Sequence, residues 1–322
     1  MIDILMVKGA KVLVDVCTKV KPRDKVLIIT DMFKFNLVNV LAGVAKERGA
    51  EVIVSVMKPR KKAGQEPPVS ISEAMKEADV VFSVVSYSIT HTNAVKDAVS
   101  GGARIIVMTD FNEGLMIQGG IEANFDELKP ICKKVANRLA EGKKVRLTTP
   151  GGTDLQMDIT GRRGNALYCV VEPGEFSTVP TVEANTSPVE GSANGKIVVD
   201  ASIPYLGIGL LKEPIQVEVR NGFITKIEGG YQADILKKDL ESQKDKNVFN
   251  IAEIGLGLNP KCRMIGIMLE DEGVMGTAHI GIGTSITLGG NIKTSCHYDL
   301  IMWKAKVEVD GKVIIEDEQV KI

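Results

Sequence analysis

Two of the three histidines in this 322-residue chain lie eighteen residues apart, at His279 and His297, and Asp299 follows the second by two. Two imidazoles with one carboxylate are the donor set of zinc hydrolases and of non-haem Fe(II) enzymes. The segments that carry them share a design. In 277–283, strand alternation puts Thr277, His279, Gly281 and Gly283 on one face and Ala278, Ile280 and Ile282 on the other. In 251–259, Ile251, Glu253, Gly255, Gly257 and Asn259 share a face, opposite Ala252, Ile254, Leu256 and Leu258. In each segment a potential ligand is followed on its own face by two glycines, and the reverse face is apolar. A strand over 297–303 would aim His297 and Asp299 the same way. Glycine beside a ligand leaves room for an ion and a substrate close to the backbone. Residues 250–303 therefore read as half of a metal site at the floor of a cleft.

Other candidates lie outside this stretch. The Pro- and Gly-punctuated run 170–200 carries Glu172, Glu175, Glu183 and Glu190, and the residues alone do not choose among them. Loops of that length in compact domains are usually functional or disordered. Glu270, Asp271 and Glu272 form an acidic turn that is either solvated or supports the histidines. His91, in SYSITHTNAVKDA, follows a strand of the first domain, where doubly wound sheets bind ligands. It is a substrate-facing candidate, while Thr90 or Thr92 can cap the helix that follows. Cys296 would point away from His297 and is assigned to the core.

These residues need elements to position them. Residues 1–142 read as alternating helix and strand, with short apolar strands at 25–31, 51–57, 79–86 and 103–110. Apolar strands separated by helices imply a parallel sheet covered on both faces, a doubly wound α/β domain. No strand leads into GxGxxG or GxxxxGK[ST], so the nucleotide signal is absent. Residues 143–322 are hairpin-rich, with turns at Gly151-Gly152, Asn221-Gly222 and Asp310-Gly311 and one helix near 231–246. They form a β-rich α+β domain, and the metal site is expected in the cleft between the two domains.

Composition sets the outer bounds. Hydrophobic residues make up 44%, charged residues 25%, and the net charge is −1. These are soluble globular values, with no bias toward nucleic acid or a membrane surface. The N-terminus lacks a signal-peptide core, and no apolar run reaches membrane-spanning length, so a cytoplasmic location is expected. Five cysteines without CxxC spacing exclude a thiolate zinc site and a disulfide framework.

GEF, PVEGSANG, NIAEIGLGLNP, LEDE, GTAHIGIG and HYD, in that order, resemble the C-terminal domain of aminopeptidase T-type metallopeptidases, relatives of leucyl aminopeptidase. SITHT followed by a helix resembles their N-terminal domain. The resemblance implies a dinuclear metal site with ligands Glu175 of GEF, Glu253 of NIAEIG, His279 of GTAHIGIG, and His297 and Asp299 of HYD. The family's Tyr, seven residues after the first His, is Ile286 here. The same superfamily includes the 2,5-dihydroxypyridine 5,6-dioxygenase branch, with one Fe(II) on two His and one Asp.

The leading expectation is an aminopeptidase-like hydrolase that uses Zn, Co or Mn to activate water against a short peptide. There Glu253 is a ligand or holds the water. The alternative is an Fe(II) ring-cleaving dioxygenase on a small aromatic diol, with His91 as proton shuttle. A second alternative is a non-catalytic metal or small-molecule binder. A homodimer is expected on base rates and resemblance.

Overall fold

The computed structural model describes residues 2–90 and 92–322. Its contacts divide the chain into two compact units. One comprises 1–126 with 168–180, the other 127–167 with 181–322.

The first unit carries a five-stranded, all-parallel sheet. Its order is Glu51–Met57, Lys25–Asp31, Val80–Val84, Arg104–Val107 and Phe176–Thr178. Such a sheet requires crossovers, and helices Val38–Glu47, Val69–Lys76 and Asn93–Ser100 supply them. Leu27, Ile29, Val81, Ile105 and Val107 bury one face against Ile71, Met75, Val95 and Ala98. Residues of opposite parity, Val26 and Ile28, are equally buried. Each such side chain contributes about 1.5–3 kcal/mol on burial. The apolar run 51–57 is the exception to two-sided burial. It is an edge strand, and Ile53, Val54 and Val56 are exposed. The fifth strand arrives from 168–180, deep in the sequence of the β-rich part, and pairs in parallel with Arg104–Val107.

The second unit holds two antiparallel sheets. Eight strands run in the order Phe223–Glu228, Ile215–Arg220, Asn194–Val199, Asp154–Asp158, Lys144–Thr148, Lys306–Val309, Lys312–Glu316 and Gln319–Val320. The three glycine-turn hairpins expected from sequence all lie in this sheet. The other sheet has the order Gly209–Leu210, Ser202–Ile203, His297–Met302, Ala278–Gly283, Ile251–Gly257, Glu183–Thr186 and Asn165–Leu167. The apolar face of its central strands, with Ile254, Leu256, Ile280, Ile282, Leu300 and Met302, is fully buried. Among the described residues, no helix is long and apolar enough to cross a membrane.

One buried fork ties the first unit's strand ends together. Arg104 Nη1 donates to the carbonyls of Thr18 and Lys19 at 2.6 and 2.9 Å, and Nη2 donates to Asp24 Oδ2 at 2.6 Å. Arg104→Met removes three charge-assisted hydrogen bonds and leaves Asp24 Oδ2 with only the Lys21 N–H, so stability should fall by about 3 kcal/mol. The check is a lower urea midpoint by circular dichroism; an unchanged midpoint would show the fork to be idle.

Candidate metal centre

The ladder of the seven-stranded sheet explains the glycines. Glu183 stands opposite Gly257, and Asn185 opposite Gly255. Gly255 in turn faces His279, and Glu253 faces Gly281. Gly281 also faces Asp299, and Gly283 faces His297. Directly opposed residues share a sheet face. One face therefore carries Glu183, Glu253, His279, His297 and Asp299, each set against a glycine on a neighbouring strand. The space is used: a Cβ on Gly255 would lie 2.0 Å from His279 Nε2, and one on Gly281 would lie 2.7 Å from both Glu253 Cβ and His297 Nε2.

The five side chains converge in two overlapping groups, Glu183–Glu253–His279 and Glu253–His297–Asp299, with donor atoms within 4.8 Å of one another in each. Glu253 belongs to both. Its Oε2 lies 2.9 Å from His297 Nε2, and its Oε1 lies 3.8 Å from His279 Nε2. Glu183 Oε2 is 3.4 Å from His279 Nε2, and Asp299 Oδ1 is 3.3 Å from His297 Nε2. His297 Nδ1 lies 2.8 Å from the Thr284 carbonyl, which can only accept. That contact places a proton on Nδ1 and turns Nε2 toward the cluster. Asn185 Nδ2 donates to Glu183 Oε1 at 2.9 Å, leaving Oε2 for the cluster.

Burial sharpens the electrostatics. Burial alone would lower both histidines. The Asp299 and Glu253 carboxylates instead raise His297 well above its ordinary value. The Glu253 carboxylate facing the imidazole N–H, with the charges of Glu183 and Asp299, carries His279 up to about 9. In return, His297 holds Asp299 far below the usual carboxylate range, and the two imidazoles hold Glu253 below its own, both against burial. Glu183 rises to about 7, through burial opposed by His279. Glu272 rises well above its ordinary value, through burial and the charge of Asp299.

The group fits a divalent cation. Glu183 Oε2 and Asp299 Oδ1 are buried without a well-aligned hydrogen bond, which is costly unless something else satisfies them. In the metal-free site the raised imidazoles face the depressed carboxylates of Glu253 and Asp299, and burial favours the protonated forms of Glu183 and Glu272. A dication exchanged for the two imidazolium protons leaves the net charge unchanged.

The sequence-based candidates fall out unevenly. Glu253, His279, His297 and Asp299 come together as expected. Glu175 does not join them. It belongs to the first unit, where its Oε2 accepts from the Glu172 N–H at 3.0 Å. Glu183, one of the four undecided glutamates, is the carboxylate beside His279. Glu190 is tied to Arg162 and to the Asn291 N–H, and Glu172 to Lys19. Glu272 lies 3.2 Å from the Tyr205 hydroxyl, which also donates to Asp299 Oδ2 at 2.7 Å. Sequence reasoning missed Tyr205 and Asn185; the two-residue spacing of Glu183 and Asn185 was the available signal for the latter. Ile286 sits on a short turn with 47% of its surface exposed. His91 lies outside the described residues. Thr92 caps the following helix, its Oγ1 accepting from Val95 N–H at 3.4 Å.

A parallel-sheet unit joined to an antiparallel unit whose central strands present imidazoles and carboxylates defines a metal-binding enzyme class. The model of the family NicX, 2,5-dihydroxypyridine 5,6-dioxygenase, matches residues 10–322, and the chain belongs to that family. It is 24% identical over 260 residues to the 2,5-dihydroxypyridine 5,6-dioxygenase of Pseudomonas putida KT2440, covering 77% of this chain and 72% of that protein. The solved 2,5-dihydroxypyridine dioxygenase from Pseudomonas putida KT2440 matches with a TM-score of 0.83 at 21% identity, covering 98% of this chain and 96% of that one. Wild-type AmpT from Thermus thermophilus matches with a TM-score of 0.70 at 16% identity, with both chains covered in full. The 2,5-dihydroxypyridine 5,6-dioxygenase branch named from the motifs is therefore the chain's family. The hydrolase expectation is corrected, because the matching family and the curated relative are dioxygenases, and at 16% identity the likeness to AmpT is one of fold.

Two outcomes follow. Gly255→Ala should displace the His279 ring, which can swing aside, so the variant should melt near the parent yet bind Co²⁺ at least about tenfold more weakly. Equal affinity, measured by titrating the metal-free proteins, would remove Gly255 from the site. Metal binding must also displace protons from groups whose values are raised, so apparent affinity should rise with pH up to about 9. Calorimetry in buffers of different ionisation heat should register roughly two protons released per ion at neutral pH. No release would contradict the imidazolium assignment.

Proposed function

We propose that the chain is a ring-cleaving dioxygenase that holds one Fe(II) on His279, His297 and Asp299 and acts on a dihydroxylated aromatic ring of the kind named for its relatives. The observation that supports this reading is that His279 stands on the strand next to His297 and Asp299, with His297 Nε2 3.3 Å from Asp299 Oδ1 and Glu253 beside both imidazoles. Two imidazoles and one carboxylate suit non-haem Fe(II) and leave coordination positions open. The chemistry that Fe(II) supplies when bound is the reaction of O₂ with an electron-rich ring.

The protein's own groups handle protons and orientation. Thr284, by accepting from His297 Nδ1, fixes the imidazole so that Nε2 serves as donor. Glu183 is raised to about 7, near the value a general acid–base needs at neutral pH. Its Oε1 is held by Asn185, so a proton from a ring hydroxyl is taken at Oε2. Glu253 stays ionised between the two imidazoles and keeps them in place. The proton-shuttle role expected of His91 is part of the same proposal.

Ring opening by O₂ puts both oxygen atoms into the product and needs no external reductant. Metal-free protein loaded anaerobically with Fe²⁺ should take up one O₂ for each ring of 2,5-dihydroxypyridine or a related diol consumed, and ¹⁸O₂ should label the product twice. Absence of oxygen uptake with every dihydroxylated ring tried would sink the proposal. His91→Ala should keep its iron and lose turnover; loss of iron there would make His91 a ligand instead.

A further inference from the structure

The two oxygens of Asp299 have different partners. Oδ1 lies toward His297 Nε2, 3.3 Å away, and has no well-aligned hydrogen bond of its own. Oδ2 accepts from the Tyr205 hydroxyl at 2.7 Å. That hydroxyl is also 3.2 Å from Glu272 Oε1. Tyr205 comes from a turn some ninety residues earlier in the chain, and nothing in the proposed chemistry has used it.

Local structure fixes the reach of Tyr205. The two-residue strand Ser202–Ile203 pairs with the strand of His297 and Asp299 through Ser202 and Ile301. The Ala201 N–H donates to the Ile301 carbonyl at 3.2 Å. The chain then turns sharply. The Tyr205 N–H donates to the Ile203 carbonyl at 2.8 Å, and the Ile208 N–H donates to the Tyr205 carbonyl at 2.9 Å. Leu206 takes φ +59°, a left-handed backbone that large side chains rarely adopt. Ser202 Oγ donates to Asp271 Oδ2 at 2.6 Å, and Asp271 in turn accepts from the Ile265 and Gly266 N–H groups. The Tyr205 ring rests against Tyr298 at 5.2 Å between centroids, tilted by 44°. The turn is thus held by backbone and side-chain bonds, and its one polar tip ends on Asp299.

We propose that Tyr205 is a positioning residue: its hydroxyl occupies Asp299 Oδ2, so that Asp299 presents Oδ1 alone to the metal. The inference rests on the metal-site reading above. A free carboxylate can rotate or offer both oxygens to a cation. One oxygen tied to a phenol on a pinned turn cannot, and the geometry at the ion is set by a group that never touches it. Outer groups of this kind typically change metal affinity by about 10–100-fold when removed.

The test uses metal-free wild type, Tyr205→Phe and Tyr298→Phe. Phenylalanine at 205 keeps the ring and its contact with Tyr298 and removes only the hydroxyl. Each protein is titrated with Co²⁺, followed by visible absorption, and with Fe²⁺ under anaerobic competition with a chelator. The expected result is affinity reduced about 10–100-fold in Tyr205→Phe, with a Co²⁺ band altered in position and intensity. Tyr298→Phe, whose hydroxyl donates to Asp239 at 3.0 Å, should match wild type. Unchanged affinity and spectrum in Tyr205→Phe would overturn the proposal. So would equal losses in both variants, which would trace the effect to packing of the two rings. Wild type that binds neither Co²⁺ nor Fe²⁺ is a separate outcome, which removes the metal-site reading itself.

Discussion

The site depends on an exclusion: each polar donor on the central sheet face stands opposite a residue with no side chain. Antiparallel neighbours are only about 4.5–5.5 Å apart at Cβ, so a side chain at 255 would fill the space the His279 imidazole occupies. Glycine at 255, 257, 281 and 283 lets five donors lean across the strands toward one another. Glycine in a strand interior costs stability through lost packing and backbone entropy. The reverse face offsets this with an unbroken layer of Ile, Leu, Ala and Met. One alternation therefore writes both the core of the unit and its chemistry.

That alternation is also why so much was legible. His279 with two following glycines, and Glu253 with two following glycines, are period-two patterns with one apolar face, and both became central strands. His297 and Asp299 needed only their spacing of two. Glu183 was harder. It lies in the four-residue strand Glu183–Thr186, and its glycine partner, Gly257, is on the neighbouring strand, more than seventy residues away in sequence. No local pattern distinguishes it from Glu172, Glu175 or Glu190. The family motif pointed to Glu175, whose segment instead folds with the parallel sheet. Residues 176–178 are too short to read as a strand and have no helical crossover beside them. Their partner, Arg104–Val107, is fixed only by long-range pairing. Tyr205 shows the same limit: a tyrosine in IPYLG reads as turn, and only the Ser202–Ile301 pair places it at Asp299.

Charge links ion entry at such a face to the release of protons. Four buried carboxylates, Glu183, Glu253, Asp299 and Glu272, accompany two imidazoles. Without metal, both imidazoles are raised, and burial favours the protonated forms of Glu183 and Glu272. A first dication takes the place of two imidazolium protons at no change in net charge. A second would have to expel the protons of Glu183 and Glu272 as well. Glu183 gives its proton up near pH 7, but Glu272 is held well above the carboxylate range by burial and by Asp299. A dication held by Asp299 would offset the charge that raises Glu272 and would lower the carboxylates beside it, so ion entry and proton release are linked. Within the cluster, Glu183, raised to about 7 in the metal-free site, is the carboxylate whose proton exchanges nearest neutral pH.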